Sequence, residues 1–207
     1  RFGFAGIKNV GDGAIDALLE ARSGAEGPFR SLFDFAGRID ARRANRRVLE
    51  SLVKCGAFDS LHANRAAVWA SLDRAIERAA GEQRDRAVGQ ESLFGTAKNP
   101  EPATEAALVD APAWGERERL SQEKELLGFY ISGHPLDEVA ALLSRYVDTT
   151  GAAAAGRDGR DVRVGGLLTA LRETRTKRGQ RMGYGTLEDL EGSFELVIFA
   201  EAYNEHF

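Results

Sequence analysis

The stretch Ile7-Lys8-Asn9-Val10-Gly11-Asp12-Gly13-Ala14 decides how the first part of the chain is expected to fold. Its two glycines favour a tight turn, and apolar residues at Ile15, Leu18 and Leu19 then follow with helical spacing. A helix beginning at such a turn exposes backbone N–H groups at its positive end, where they can hold a phosphate without reading bases. We therefore predict phosphate contacts at Lys8, Gly11 and Gly13, with an ordinary interhelical loop as the alternative.

Apolar spacing outward from this turn predicts further helices as far as residue 80. Asp12 is the expected N-cap of the first helix, and Asn64 is expected to start the last one. Gly56 is well placed to end the helix between them. The predicted helices span residues 14–22, 31–39, 42–54 and 65–80.

Four arginines in the third predicted helix are spaced to share one face. Arg42, Arg43, Arg46 and Arg47 fall at positions i, i+1, i+4 and i+5. Such a face attracts a polyanion, and each phosphate that it neutralises steepens the salt dependence of binding. We predict that these arginines bind nucleic acid, and a solvated helix face is the alternative reading.

Helical periodicity stops between residues 81 and 115, where prolines, small residues and acidic residues predict a linker. Within it lies Gln90-Glu91-Ser92-Leu93-Phe94. The glutamine amide can donate and accept in a small polar pocket, while burial of the leucine and phenylalanine contributes roughly 1.5–3 kcal/mol each before ordering costs. All five residues are predicted to dock on another protein. The alternative is that the two apolar side chains pack on their own domain.

The last third of the chain changes its periodicity. Residues 117–130 and 136–146 retain a helical pattern, and residues 149–160 form a second boundary. Alternation then predicts three strands with hairpin turns at residues 177–180 and 189–192, too few strands for a closed barrel. The predicted strands lie within residues 162–168, 182–186 and 194–198.

Basic and aromatic residues are interleaved along these strands. That combination suits single-stranded nucleic acid, in which bases stack on aromatic rings and phosphates pair with cations. A basic hairpin edge that resists aggregation is the alternative. The predicted contacts are Arg175, Lys177, Arg178, Arg181 and Tyr184, with Arg172 and Phe194 nearby.

Charge is distributed unevenly over the 207 residues, whose formal net charge is −4. Residues 1–74 hold 12 Lys and Arg against 9 Asp and Glu, and residues 157–181 hold 8 against 3. Residues 82–125 between them hold 6 against 10. Basic ends around an acidic middle are typical of a nucleic-acid binder with a solvated connector, although ordinary surface charge would also account for them.

Composition excludes several other classes. One cysteine, Cys55, cannot form an internal disulfide and suits the cytoplasm, and the three scattered histidines predict no metal site. No apolar run approaches the ~20 residues of a membrane span. The sequence has no paired strand carboxylates for two metal ions, no Walker loop and no Gly-x-Ser-x-Gly elbow, so we expect no catalysis from this chain itself.

The order of these features resembles the alpha subunits of bacterial DNA polymerase III, the C-family replicative polymerases. The resemblance spans nearly the whole chain, and its motifs stand in the family's order. Gly6-Ile7-Lys8-Asn9-Val10-Gly11, Asn45-Arg46-Arg47-Val48-Leu49-Glu50 and Lys54-Cys55-Gly56-Ala57-Phe58-Asp59 resemble the tandem helix-hairpin-helix region. Gln90 to Phe94 is similar to the internal clamp-binding motif, and residues 125–136 (ELLGFYISGHPL) resemble the helical segment after it. Residues 176–189 and 195–199 resemble the opening strands of the OB-fold.

The resemblance implies a mainly α fold with a C-terminal β part. The first part is a tandem helix-hairpin-helix region that binds double-stranded DNA, and the second is a flexible linker that binds the β sliding clamp and so provides processivity. A helical segment follows, and the last part is an incomplete OB-fold that binds single-stranded DNA. Other replicase subunits are further expected partners of the full nucleotidyltransferase. Mg²⁺ is expected only at the polymerase active site, which this sequence lacks, so no cofactor is expected. The four parts span residues 1–80, 81–115, 116–148 and 160–207.

Two rival functions remain open at the level of sequence. One is a DNA-repair adaptor that binds duplex DNA through helix-hairpin-helix contacts without a clamp. The other is a nuclease-like enzyme fragment acting through scattered carboxylates, which would have to cleave DNA with a metal ion. Duplex affinity without clamp affinity would favour the first.

Overall fold

The computed structural model describes residues 3–87, 107–154 and 156–207. The chain divides into two compact units, Arg1–Ile131 and Ser132–Phe207. The first is helical and the second carries a three-stranded antiparallel sheet, so the predicted mainly α fold with a C-terminal β part is confirmed. None of the helices in these described ranges is both long and apolar enough to cross a bilayer.

Polar caps explain where helices of the first unit begin. Ser31 Oγ accepts from Asp34 N–H at 3.1 Å, and Asn45 Oδ1 accepts from Val48 N–H at 3.2 Å. Asn64 Oδ1 accepts from two N–H groups of the helix that follows it, which confirms Asn64 as a helix start. A 3₁₀ turn at Phe4–Gly6 precedes helices α1 Asp12–Ser23, α2 Leu32–Arg38, α3 Arg46–Lys54, α4 Arg65–Ala70, α5 Leu72–Ala87 and α6 Glu116–Leu127.

These caps correct two predicted boundaries. The third helix begins at Arg46 rather than at residue 42, because Asn45 caps it and the preceding residues form a separate turn. In that turn the carbonyl of Asp40 accepts from the N–H groups of Arg43 and Ala44. The N-cap of α1 is Gly11, and the predicted cap Asp12 is the first residue inside the helix.

The predicted fourth helix is two helices that meet at Ser71. Its hydroxyl is fully buried and donates to Ala67 O at 2.7 Å, and the same oxygen accepts from Val109 N–H at 2.8 Å. Asn64 Nδ2 also donates to Ala111 O at 2.8 Å. The expected linker is therefore corrected at both ends, since residues 81–87 continue α5 and residues 107–115 lie against the helices.

The core of the first unit forms where α2 and α5 pack together and α3 contacts α4, α5 and α6. Its centre is aliphatic, and burying each such side chain contributes about 1.5–3 kcal/mol. An aromatic row adds to it, with the Phe35 ring 4.8 Å from that of Phe29 and 5.1 Å from that of Phe58. The most deeply buried apolar residues of this unit include Leu32, Leu52, Val53, Val68, Leu72 and Leu120.

The second unit is built on strands in the order β1-β2-β3. Both predicted turns are confirmed, since Thr176 N–H binds Gln180 O and Asp189 N–H binds Gly192 O. The predicted helix 136–146 is reduced to a 3₁₀ turn and a four-residue helix. The elements are a 3₁₀ turn Asp137–Val139, α7 Ala140–Leu143, α8 Gly151–Ala154, β1 Leu167–Arg175, β2 Arg181–Glu188, β3 Ser193–Ile198 and α9 Ala200–His206.

The first strand lies further along the chain than predicted. Residues 162–166 are irregular, with Arg163 and Asp148 exchanging hydrogen bonds, and β1 begins only at Leu167. The register shifts between Leu168 and Ala170, which breaks the two-residue alternation that strand prediction relies on. Most of β1 is also exposed, so no apolar face marks it in the sequence.

Candidate nucleic-acid interface

The turn before α1 is held in place by both side chains and backbone. Ile7 and Val10 are buried, while Lys8 between them is exposed. Lys8 N–H donates to Leu126 O at 2.9 Å, and Asn9 Nδ2 donates to Ser51 Oγ at 3.2 Å. The turn is thus fixed to both α3 and α6.

The left-handed residue of this turn is Asn9, with φ 71°. The prediction that the glycines form the tight turn is therefore wrong. Gly11 has φ −87°, an ordinary value, and Gly13 lies inside α1. Asparagine tolerates the left-handed region better than most residues, which explains why no glycine is needed there.

The two glycines instead leave the start of α1 open. Nothing lies within 4 Å of the place where a Cβ would stand on Gly11 or Gly13. Gly11 offers no capping side chain, and among the described residues no acceptor binds the N–H groups of Asp12 and Gly13. These donors can bind a phosphate, although the exposed Asp12 carboxylate opposes an anion at the same helix end.

Two of the four predicted arginines are engaged within the unit. Arg43 Nη1 donates to Glu20 Oε2 at 2.6 Å, and Arg43 Nε donates to Gly13 O at 3.2 Å. Its hydrogen bond holds the pKa of Glu20 below the ordinary value. Arg46 donates to Glu50 Oε1 at 2.8 Å and also pairs with Asp73.

Arg42 and Arg47 are exposed, and neither forms an ion pair with any residue that the structure describes. Arg47 stands one helical turn before Ser51, whose hydroxyl accepts from Asn9. Arg42 adjoins Arg43, which contacts Gly13. The prediction of one four-arginine helix face is therefore corrected, because only Arg46 and Arg47 are helical. We call Lys8, Gly11, Gly13, Arg42 and Arg47 the hairpin face.

The segment from Lys54 to Asp59, which resembles a second part of the tandem helix-hairpin-helix region, follows the end of α3, and its backbone donors are already used. Gly56 has φ 83°, its N–H donates to Val53 O at 3.0 Å, and Ala57 N–H donates to Leu52 O at 2.9 Å. Lys54 Nζ lies 4.5 Å from the centre of the Trp69 ring. Unlike the start of α1, this turn closes α3 by satisfying its last carbonyls.

Arg65 is a structural residue that the sequence reading missed. Its Nε and Nη2 donate to the two Asp59 oxygens at 2.8 and 2.6 Å, and its Nη1 donates to Glu123 Oε1 at 2.8 Å. The other Glu123 oxygen accepts from Ile131 N–H at 2.7 Å. Burial alone would lower the pKa of Arg65, but the bonds to Asp59 and Glu123 outweigh it and raise that pKa. Arg65 and Glu123 are 58 residues apart, so no local sequence pattern indicates that they form a pair.

The predicted contacts on the strands divide between the two faces of the sheet. Arg172 and Tyr184 are cross-strand neighbours on one face, where the tyrosine is half-exposed. On the other face Arg181 Nη2 donates to Glu173 Oε2 at 2.7 Å, and Tyr203 OH donates to the same oxygen at 3.1 Å. Arg175 lies opposite Arg181 in the register, and Lys177 and Arg178 lie in the β1–β2 turn.

The predicted docking peptide, Gln90 to Phe94, falls outside the described residues. Its assignment therefore stays a prediction. The described chain on either side belongs to the first unit, where α5 ends at Ala87 and Val109 is bonded to Ser71.

The known proteins that this chain resembles share one name. A family model described as a helix-hairpin-helix motif matches residues 1–68. The DNA polymerase III subunit alpha of Vibrio cholerae is 40% identical over 206 residues, and that of Escherichia coli (strain K12) is 37% identical over 207 residues. The same subunit of Mycobacterium leprae is 35% identical over 211 residues. These alignments cover 99%, 99% and 100% of this chain but only 18% of each relative, so the chain spans less than a fifth of their length.

Proposed function

Because this chain is homologous over nearly its whole length to a segment of DNA polymerase III alpha subunits, we propose that it is the DNA-binding and clamp-tethering region of a replicative polymerase large subunit. One observation carries the DNA-binding part. The helix-hairpin-helix match covers a turn with open N–H groups at the start of α1, next to Lys8 in the sequence. The turn contacts Ser51, one helical turn after Arg47, and Arg43, the neighbour of Arg42. Such a surface holds a sugar-phosphate backbone without base contacts.

Duplex binding is tested by fluorescence anisotropy of a labelled DNA duplex at several salt concentrations. The logarithm of affinity should fall with the logarithm of salt with a slope of a few units, because each neutralised phosphate contributes about 0.9. The informative variant is Gly11→Asp. Aspartate is a favoured N-cap and the site is open, so the variant should fold while placing a carboxylate against the phosphate.

A matched control is Gly115→Asp, which adds the same charge at the N-cap of α6. Gly115 is also open and lies at the far end of the helix whose Leu126 contacts the hairpin, roughly 16 Å away at 1.5 Å per residue. Duplex affinity should fall at least tenfold for Gly11→Asp and little for the control. Equal losses for both variants would mean that the hairpin makes no specific contact.

The clamp-tethering part of the proposal rests on the chemistry of the pentapeptide and on its place in the family resemblance. A short peptide that must be ordered on binding gives an affinity of the order of micromolar. Titration calorimetry of the chain against a cognate β clamp tests it. The double variant Leu93→Ala and Phe94→Ala should abolish the heat signal, because it removes both apolar anchors.

The control for that titration is Leu190→Ala with Phe199→Ala, a second Leu and Phe pair that is 54% and 71% exposed. Clamp binding should survive in this control. If the clamp binds equally well without the two anchors, the peptide assignment is wrong. A chain that binds duplex DNA and no clamp at all would instead be the repair-type adaptor.

The strands support a further part of the proposal, the opening of an OB-fold that handles single-stranded template. What favours it is the exposed Tyr184 beside Arg172, an aromatic ring and a cation on one face of the sheet. We propose that the whole bacterial protein is a cytoplasmic nucleotidyltransferase working with other replicase subunits. Its processivity would then depend on this region.

A further inference from the structure

We infer that Lys8, Arg42 and Arg47 are the cations through which the hairpin face contacts DNA phosphates, whereas Arg43 and Arg46 act inside the unit and contact none. The inference rests on the proposed duplex binding and divides the arginine cluster by role. The four arginines are equivalent in the sequence, and the division comes from their partners in the fold.

Arg43 is surrounded by negative charge. It bonds to Glu20, and the carboxylates of Asp16 and Asp40 also act on it and help to raise its pKa. Through Gly13 O it also ties the turn before α3 to the first turn of α1. If Arg43 moved to a phosphate, these carboxylates would be left without their cation next to the DNA, which disfavours the exchange.

Arg46 is held by two carboxylates from two helices, Glu50 on α3 and Asp73 on α5. Both hydrogen bonds raise its pKa, and the local charge of the three groups is negative. This triad joins the start of α3 to the start of α5. It offers a DNA backbone no net attraction.

The three remaining cations have their charge available. Lys8, Arg42 and Arg47 are exposed and form no ion pair with any residue in the described ranges. Binding of DNA is driven by release of condensed counterions, so a cation with no carboxylate partner contributes fully while one already neutralised within the protein contributes little. At about 0.9 for each cation, three such cations predict a salt slope of about 2.7, whereas five would give about 4.5.

The test compares two double variants of identical charge, Arg42→Gln with Arg47→Gln and Arg43→Gln with Arg46→Gln. The salt slope of duplex binding is measured by anisotropy, and stability by the midpoint of urea unfolding. The first variant should lower the slope by about 1.8 and leave the midpoint unchanged. The second should leave the slope unchanged and lower the midpoint. A second variant that lowers the slope as much as the first overturns the division.

A gain-of-charge variant keeps the test decisive if the second double variant does not fold. Glu20→Gln with Asp73→Asn removes partners that are themselves 67% and 64% exposed, so the fold should persist. Arg43 then loses its ion-pair partner, while Arg46 keeps Glu50 but loses Asp73, so the local negative charge around both arginines falls. The slope should rise, and an unchanged slope overturns the inference. A wild-type slope near zero is a different failure. It removes the proposed duplex binding itself, before any variant is measured.

Discussion

At the scale of single residues, Arg65 joins parts of the first unit that are distant in sequence. It links the end of α3 through Lys54 O, the following turn through Asp59, and α6 through Glu123. Both Arg65 and Glu123 are almost completely buried. A buried charge pair adds little net stability compared with apolar residues, but removing one partner leaves the other charge in the interior without compensation.

Arg65→Ala is therefore expected to lower the free energy of unfolding by about 3–5 kcal/mol, because the buried carboxylate of Glu123 loses its ion pair with Arg65. Urea unfolding monitored by circular dichroism measures this. Arg47→Ala serves as a control, since this exposed side chain should change stability by less than about 0.5 kcal/mol. A loss below about 1 kcal/mol for Arg65→Ala would show that the network tolerates an empty position.

Gly56 is required for two separable reasons. Its φ of 83° strains any residue with a Cβ, and that Cβ would also collide with the Arg65 guanidinium. Gly128 has a φ of 84° at the end of α6 but an open surrounding. Gly128→Ala should cost about 1–2 kcal/mol from backbone strain alone. Gly56→Ala should cost at least about 1 kcal/mol more in the same unfolding assay, and equal costs would mean that Arg65 simply moves aside.

Asp189 gives the second unit a defined pH dependence. Burial alone would raise its pKa, but N–H donors from Gly151, Glu191 and Gly192 and the charge of His134 lower the pKa below the ordinary 3.8. A carboxyl whose folded pKa is depressed stabilises the fold above its unfolded pKa and loses that contribution as pH falls through the folded value. The stability advantage of wild type over Asp189→Asn should be constant above about pH 5 and should shrink below pH 4.

Urea titrations between pH 2 and pH 6 measure this difference. Asp158→Asn provides a comparison at an exposed aspartate. Its stability difference from wild type should stay small at every pH. An advantage of Asp189 that persisted unchanged to pH 2 would contradict the assigned hydrogen bonds.

At the scale of elements, the helix ends show what could be read from the sequence. Asn64 starts its helix as predicted, because a polar cap before an apolar stripe is a local signal. The start of α3 could not be read in the same way. Arg42 and Arg43 continue the helical spacing of Arg46 and so hide the cap at Asn45, and the bonds of Asp40 to its own turn separate them from α3. β1 was misplaced because a bulge and an exposed surface erase the alternating pattern.

Two tyrosines on opposite sides of the sheet have different environments. Tyr184 is half-exposed beside Arg172, while Tyr203 of α9 is buried and bonds to Glu173. If this sheet handles single strands, Tyr184→Ala should weaken binding of an oligothymidylate by about 1–3 kcal/mol per stacked base with little change in unfolding. Tyr203→Ala should instead destabilise the second unit. Anisotropy measures the loss of binding, and urea unfolding measures the loss of stability. If both variants remain folded and lose binding equally, single strands do not bind specifically to the face that carries Tyr184.

At the scale of the whole molecule, the sequence predicted a helical part followed by a C-terminal sheet and the position of the turn before α1, since these depend on local patterns. The division of charge within the arginine cluster was not accessible in this way. Glu20 is 23 residues from Arg43, and Asp73 is 27 residues from Arg46. Such pairs exist only after the helices have packed. A run of basic residues therefore overstates the charge that a folded surface presents to DNA.

The proposed DNA-binding surface and the proposed clamp-binding peptide are close together along the chain. Ala87 and Ala107 belong to the same compact unit as the hairpin face, so the pentapeptide is joined at both ends to the unit proposed to bind DNA. A clamp encircling a duplex held by the hairpin face would then meet the peptide at high effective concentration, which strengthens binding without any new contact.

We therefore expect the chain to bind a clamp loaded on a DNA duplex at least tenfold more tightly than the same clamp free in solution. Biosensor measurements on both forms of the clamp give the ratio. Gly11→Asp should bring the ratio close to one while leaving affinity for the free clamp unchanged, since it alters only the DNA contact. Gly115→Asp should keep the full ratio. A ratio near one for the wild type, with each partner bound separately, would mean that the two sites cannot be occupied on one duplex at the same time.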